Sequence, residues 1–211
     1  MKKILSDLIR RYPILAPCEE DIFRTYTILD EAFSRGNKLL VAGNGGSDAD
    51  ANHIVGDLMK GFVKKRKIPE DLAQKLKSVN AELGQSLTEN LQCALPAVAL
   101  SVHSSLNTAY INDVGADWVF AQQLLGLACS GDVFFAITTS GNSKNILAAA
   151  VTAKALGLKI IALTGKNGGK IADLADVTIK CPETETYKVQ ELHLPVYHAL
   201  CLMLEDIRWK D

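Results

Sequence analysis

Five short apolar runs rich in β-branched and aromatic residues punctuate the chain, at positions 38–42, 97–100, 132–137, 159–163 and 177–179. Each is continuous, without the alternation of a half-exposed strand, as expected of strands covered on both faces. Between them apolar residues recur at helical spacing, as in Ile146, Ala149, Ala150, Ala153 and Leu156. Strand–helix alternation predicts an α/β fold, a parallel sheet flanked by helices and joined by right-handed crossovers. Two helices should precede the first strand. One covers roughly Lys2–Arg11 and ends before Pro13; the other covers roughly Glu19–Ser34 and is closed by Gly36. A last helix is expected over about 188–208, with Pro195 predicting a kink or a late start.

Residues 64–92 break the pattern. A basic run, Lys64-Lys65-Arg66-Lys67, leads through Pro69 into a polar helical stretch with one thin apolar stripe, Leu72, Leu76, Val79 and Leu83. Twenty-nine residues of this kind cannot bury a core alone. The segment is expected as a surface insertion, either a solvated excursion or a lid or partner surface. The chain then divides into N-terminal helices at 1–36 and one domain at 37–211 that carries a helical insertion at about 64–92.

Composition narrows the function classes. Among 211 residues, 48% are hydrophobic and 22% charged, a globular balance that is not that of a disordered chain. Lys and Arg number 23 against 24 Asp and Glu, a net charge of -1, so no bulk electrostatic case exists for nucleic acid. No apolar run reaches the roughly 20 residues that span a bilayer. Asp7 and Arg10 interrupt the first residues too early for a signal-peptide core. A cytoplasmic protein without membrane partners is expected. The five cysteines are widely spaced with no Cys-x-x-Cys pair, which predicts neither a disulfide framework nor a thiolate zinc site.

Two loops look suited to an anion. The first strand runs into Gly43-Asn44-Gly45-Gly46-Ser47-Asp48-Ala49-Asp50 and then a helix. Glycines let several backbone N–H groups converge, the helix offers its positive end, and Ser47 adds a hydroxyl. An ordinary helix start capped by Ser47 or Asp48 would read the same way. The stretch is neither a Walker A nor a dinucleotide Gly-x-Gly-x-x-Gly motif. The third strand ends in Thr138-Thr139-Ser140-Gly141-Asn142-Ser143, again opening a helix. Four hydroxyls around one glycine make a poor core and a good uncharged phosphate cradle. Both loops leave the carboxyl ends of strands, where open α/β sheets bind ligands. Together they point to a phosphorylated small molecule.

His53 and Asp57 stand four apart on the helix after the glycine loop, on one face, where a nitrogen and a carboxylate can share a metal or simply contact each other. On the last helix Gln190 and His198 are eight apart, about 80° around an ideal helix, whereas Glu191 and His198 lie on nearly the same face. Geometry alone favours Glu191 as the partner of His198. His193 reads as a structural histidine, and His103 has no evident partner.

Gly43-Asn44-Gly45-Gly46-Ser47, Thr139-Ser140-Gly141-Asn142-Ser143 and Val189-Gln190-Glu191-Leu192-His193 resemble the sugar isomerase (SIS) domain family, within it the phosphoheptose isomerase branch. The resemblance covers nearly the whole chain except 64–92. It implies a doubly wound, flavodoxin-like α/β/α sandwich with a parallel five-stranded sheet. It also implies a homotetramer with sites at subunit interfaces, in which the N-terminal helices take part. The implied activity turns sedoheptulose 7-phosphate into an aldoheptose 7-phosphate. Asn44, Gly45, Gly46 and Ser47 would line the substrate pocket; Thr138, Thr139, Ser140 and Ser143 would hold the phosphate; Asn112-Asp113 and Gln190 would contact the sugar. One zinc ion per subunit would sit on His53, Asp57, Gln190 and His198, with Asp57 and His198 as acid and base. By the resemblance Gln190, not Glu191, partners His198, and a kink at Pro195 would reconcile the two readings.

Aldose–ketose isomerisation moves a proton between adjacent carbons through an enediol and another between two oxygens, work suited to a carboxylate and a histidine. The chain departs from the family at Asp57, where relatives carry Glu, and at Tyr187, where an acidic residue is common. The departure at Asp57 keeps open a non-catalytic SIS module that binds a phosphosugar or a protein, as do relatives associated with the replication initiator. Isomerisation of another phosphosugar, such as a pentose 5-phosphate, also stays open. His53, Gln190 and His198 speak for the enzyme.

Overall fold

The computed structural model describes residues 1–209. Its five strands are β1 (Leu39–Ala42), β2 (Ala97–Ala99), β3 (Val133–Ile137), β4 (Lys159–Gly165) and β5 (Val177–Cys181). They pair in parallel in the order β2-β1-β3-β4-β5. The helices are α1 (Lys2–Arg11), α2 (Glu19–Ser34), α3 (Gly46–Met59), α4 (Glu70–Val79), α5 (Ala81–Asn90), α6 (Ser104–Asp113), α7 (Val119–Leu127), α8 (Lys144–Ala155) and α9 (Thr186–Arg208).

The continuous apolar runs have a simple cause. Alternate residues of each strand feed two cores. Leu39, Val41, Phe135, Ile161 and Leu163 face one core with Leu8, Ile22, Leu29, Ile54 and Leu200 of α1, α2, α3 and α9. Leu40, Ala42, Phe134, Ala136 and Ile160 face the other with Phe120, Leu124, Ile146 and Ala150 of α7 and α8. Burial on both faces removes any reason for polar alternation. The result is a three-layer α/β/α sandwich.

Strand order sets the place of the site. After β1 the chain steps to β2 on one side and later to β3 on the other, so direction reverses beside β1. The loops after β1 and β3 diverge there and leave a crevice at the carboxyl edge of the sheet. These are the glycine loop and the hydroxyl loop.

Helix ends follow local chemistry. α2 stops at Gly36, whose φ of +81° lets Asn37 N–H turn back to the Ala32 carbonyl at 3.0 Å. α9 starts at Thr186 and passes through Pro195 without a break. Pro195 removes a backbone donor there. Buried Val196, Tyr197, Leu200, Met203 and Leu204 hold the helix across it. In the 64–92 segment, α4 and α5 pair as a hairpin, turned at Asn80, whose side chain accepts from Leu83 N–H at 2.9 Å. Only Ala73 and Gly84 of these two helices are buried, and Leu72, Val79 and Leu83 of the apolar stripe are exposed. The hairpin base is closed by Cys93 N–H to the Arg66 carbonyl at 2.7 Å. Among the described residues no helix is long and apolar enough to cross a membrane.

Candidate active site

The two loops meet at the crevice. Asn44 and Asn145 exchange side-chain hydrogen bonds of 3.0 and 2.8 Å, which tie the glycine loop to the first turn of α8. A cleft of about 290 Å³ opens there, lined by Asn44, Asp48, Ser101, Asn107, Phe120 and Asn145 among others. A larger, open hollow of about 610 Å³ lies beside α1, lined by surface residues such as Lys2, Glu20 and Phe23, and carries none of the loop groups.

Neither helix that opens at the crevice has a side-chain cap among the described residues. Ser47 and Asp48 do not cap α3; its flank is Gly45, at φ +56°. Ser143 stands at the start of α8, but its hydroxyl lies 3.3 Å from that of Thr138 instead of capping. At α3 the N–H groups of Ser47 and Asp48 already turn to the Asn44 and Gly45 carbonyls, and at α8 the Ile146 N–H donates to Asn145 Oδ1. Among the described residues the start of α8 at Lys144 and Asn145 keeps open N–H groups for an anion. Ser140 is exposed, Thr139 and Ser143 are half-buried and Thr138 is buried. Gly141, at φ +67°, packs on the turn at Gly168, where a Cβ would stand 1.9 Å from the Gly168 carbonyl oxygen. At Gly46 a Cβ would lie 2.5 Å from the Gln190 amide nitrogen, so the Gln190 side chain could keep its present place only over glycine.

α3 and α9 run side by side from that point. Gln190 lies at Gly46, and His198 lies at His53 and Asp57. His53 Nε2, His198 Nε2 and Asp57 Oδ2 form a triangle with sides of 3.5, 3.8 and 3.9 Å. The two longer sides exceed hydrogen-bond range. The point equidistant from the three atoms lies about 2.2 Å from each, close to zinc–nitrogen and zinc–oxygen lengths. Asp57 Oδ2 is buried and has no hydrogen-bond partner. A buried carboxylate oxygen without a donor, facing two imidazole nitrogens, fits a cation, so this group could hold a metal. Burial pushes the Asp57 carboxyl above its ordinary range, opposed by His53 and His198. Burial pulls His198 down, opposed by Asp57.

Surrounding groups hold the triangle. Tyr197, its ring buried in α9, puts its hydroxyl 3.0 Å from His53 Nδ1 and 3.2 Å from Asp50 Oδ1. Phe62 packs on the His198 ring at 5.5 Å. Beneath them lies Arg66, fully buried. Its guanidinium donates to the carbonyls of Leu58 at 2.6 Å and Asp57 at 3.0 Å and to Glu205 Oε1 at 2.8 Å. Glu205 of α9 also accepts from the N–H groups of Phe62, Val63 and Lys64. Burial works against its charge, but those donors and Arg66 outweigh it and hold the carboxyl below its ordinary range. The pair ties the end of α3 to α9 under the triangle.

The remaining expected residues fall as follows. Asn112 and Asp113 are exposed at the end of α6, and Asn112 donates to Asp113 at 2.9 Å. Glu191 and Tyr187 are exposed; Glu191, favoured by helix angle alone, is not part of the triangle. His193 is buried against the Thr164 carbonyl, and burial pulls it down to about 4, so it is a neutral structural group at pH 7. His103 has a partner after all, Gln123 Oε1 at 3.0 Å. Sequence reasoning passed over Asn145, Asp50, Tyr197, Arg66 and Glu205. A signal existed for one: Glu205 closes an apolar stretch, Cys201 to Leu204, where a carboxylate needs a buried partner.

Comparison with known proteins agrees with this architecture. The family model for the SIS domain matches residues 105–203. A phosphoheptose isomerase of Nitratiruptor sp. is 40% identical over 191 residues, covering 89% of this chain and 88% of its own length. The phosphoheptose isomerase structure from Neisseria gonorrhoeae superposes with a TM-score of 0.74 at 30% identity, over 95% of this chain and 94% of its own. That from Francisella tularensis gives 0.72 at 30% identity, over 88% and 85%.

Proposed function

Because the chain belongs to the phosphoheptose isomerases of the SIS domain family, we propose that it converts sedoheptulose 7-phosphate into D-glycero-D-manno-heptose 7-phosphate. The observation that carries the reading is the His53–Asp57–His198 triangle, formed where α9 packs beside the helix that follows the glycine loop. Aspartate in place of the family's glutamate stands 3.8 and 3.9 Å from the two imidazole nitrogens, beyond hydrogen-bond range but near enough to share a cation with them. That placement favours the enzyme over a binding-only SIS module.

In this reading the phosphate rests on Thr138, Thr139, Ser140 and Ser143 and the free N–H groups of α8. Asn44, Gly45, Gly46, Ser47, Asn112, Asp113 and Gln190 contact the sugar. The grip on the phosphate supplies binding energy remote from the reacting carbons and orients them. Asp57, its carboxyl raised by burial, takes the proton from C1 of the ketose and returns it to C2. His198 carries the second proton between O1 and O2. His53, Asp57 and His198 would hold zinc, with Gln190 as fourth ligand on the family's pattern; a bound zinc supplies Lewis-acid polarisation of the carbonyl.

The assembly is proposed as a cytoplasmic homotetramer with sites completed between subunits. Exposed apolar side chains on and around α6, among them Leu106, Ile111, Val114 and Trp118, support such burial. We assign 1–36 as helices that pack on the SIS domain and join in those contacts, and 37–211 as that domain with its 64–92 insertion.

The test is turnover. Sedoheptulose 7-phosphate incubated with the protein, with and without zinc, should yield the aldoheptose 7-phosphate by proton and phosphorus NMR. No product at any divalent metal would hand the site to a non-catalytic phosphosugar-binding role. Product only from a pentose 5-phosphate would keep the chemistry and change the substrate. The Thr139→Val, Ser140→Ala double variant should raise KM at least about 10-fold, since hydrogen bonds to a charged group contribute ~1.5–3 kcal/mol each. Its kcat should change little. An unchanged KM would remove the phosphate from this loop.

A further inference from the structure

We infer that Asp50 and Tyr197 are positioning residues that fix His53 in its Nδ1–H tautomer and so aim the Nε2 lone pair into the triangle. The part of this that concerns metal affinity rests on the metal reading above; the tautomer does not.

The Tyr197 hydroxyl stands between Asp50 Oδ1 at 3.2 Å and His53 Nδ1 at 3.0 Å, and it has one proton to give. Burial pushes the Asp50 carboxyl up, opposed by the Tyr197 hydrogen bond and by His53; in its ionised form it only accepts, and the phenol donates to it. The phenol oxygen is then left to accept, and its neighbour on the other side, Nδ1, must carry the hydrogen. In a neutral imidazole that leaves Nε2 bare. Nε2 is the atom at 3.8 Å from Asp57 Oδ2 and 3.5 Å from His198 Nε2. Free histidine in water favours the opposite tautomer, so the chain must impose this one.

The scaffold makes the relay rigid. Asp50 and His53 are three apart on α3 and share a face. Tyr197 directly precedes His198 on α9, so one helix delivers both the relay hydroxyl and a triangle nitrogen. The Tyr197 ring is 1% exposed and meets the rings of His53 and His198 edge-on, at 5.4 and 5.0 Å. Among the described residues no donor reaches the buried Asp50 Oδ2, so none competes with the phenol. A hydrogen bond to the far nitrogen of a ligating histidine normally contributes 10–100-fold to metal affinity.

Long-range proton–nitrogen NMR of labelled imidazoles in the metal-free protein reads the tautomer directly. His53 should report Nδ1–H in the parent. Tyr197→Phe keeps the ring and removes the relay, and His53 should move towards Nε2–H. Asp50→Leu removes the acceptor, frees the phenol proton for Nδ1, and should shift His53 the same way; it serves if Tyr197→Phe does not fold. Zinc affinity of the folded Tyr197→Phe protein, by chelator competition, should fall about 10–100-fold. His53 already in the Nε2–H form in the parent, or unmoved in the variants, overturns the inference. A shifted tautomer with unchanged zinc affinity overturns its link to the metal. A parent that binds no zinc contradicts the metal reading alone, because the NMR result still decides the tautomer.

Discussion

Asp57→Asn and His198→Ala should each cut turnover of the phosphosugar by at least about 100-fold, the usual contribution of a positioned acid or base, while the protein stays folded. The structure explains why the fold should survive. Arg66 bonds to the backbone carbonyl of Asp57, not its side chain, so an amide at this position leaves that anchor in place. Asp57 Oδ2 has no internal hydrogen bond to lose. His198 is a third exposed on its side chain, and its ring meets Phe62, His53 and Tyr197 at the rim of the core. Chemistry, by contrast, loses either the group that moves the carbon-bound proton or the one that moves the oxygen-bound proton. Steady-state kinetics with circular dichroism as the control for folding checks both. Near-parental rates in both variants would mean that the triangle does not act on the sugar.

The sheet was legible because its strands are buried on both faces, which leaves unbroken apolar runs such as Val133 to Ile137. The α4–α5 hairpin was legible only as an absence of core. Its stripe of Leu72, Leu76, Val79 and Leu83 is too thin to say that two short helices face each other, and the turn depends on one side chain, Asn80. In the site, the local part could be read: His53 and Asp57 share a helix face by spacing alone, and both loops announce themselves by composition. The long-range part could not. Helix angle gives the relation of Gln190, Glu191 and His198 to one another but not which side of α9 turns towards α3. In the structure Gln190 lies against Gly46 of α3 and Glu191 is exposed. Tyr197 and Asp50 stand 147 positions apart, and no local pattern links them. Arg66 lies in a run of four basic residues that reads as solvated surface, yet it is the one drawn inside.

That burial sets the second large effect. Arg66→Met should destabilise the protein by about 3–5 kcal/mol, the cost of breaking a buried pair from one side. Glu205 would keep its three backbone donors but lose its counter-charge. The carbonyls of Asp57 and Leu58 would lose their donors inside the core. The stacking of the guanidinium on Trp209, 4.5 Å from the ring centre, would also go. Urea unfolding should show the midpoint falling with little change in slope. The Arg66→Met, Glu205→Gln double variant should recover part of the loss, since no unpaired charge then remains in the core and an amide oxygen can still accept from the backbone N–H groups. A single variant within about 1 kcal/mol of the parent would show that the clamp carries little of the stability, because ordinary surface changes stay within ~0.5 kcal/mol.

Everything in the functional reading depends on one substrate reaching from the hydroxyl loop to the triangle. A crystal of the Asp57→Asn protein soaked with sedoheptulose 7-phosphate tests this directly. The account predicts the phosphoryl group within hydrogen-bond distance of Ser140 and Ser143 and the C1–C2 end of the same sugar beside His53 and His198. A phosphoryl group bound away from the hydroxyl loop, or a sugar whose carbonyl end points away from the triangle, would contradict it.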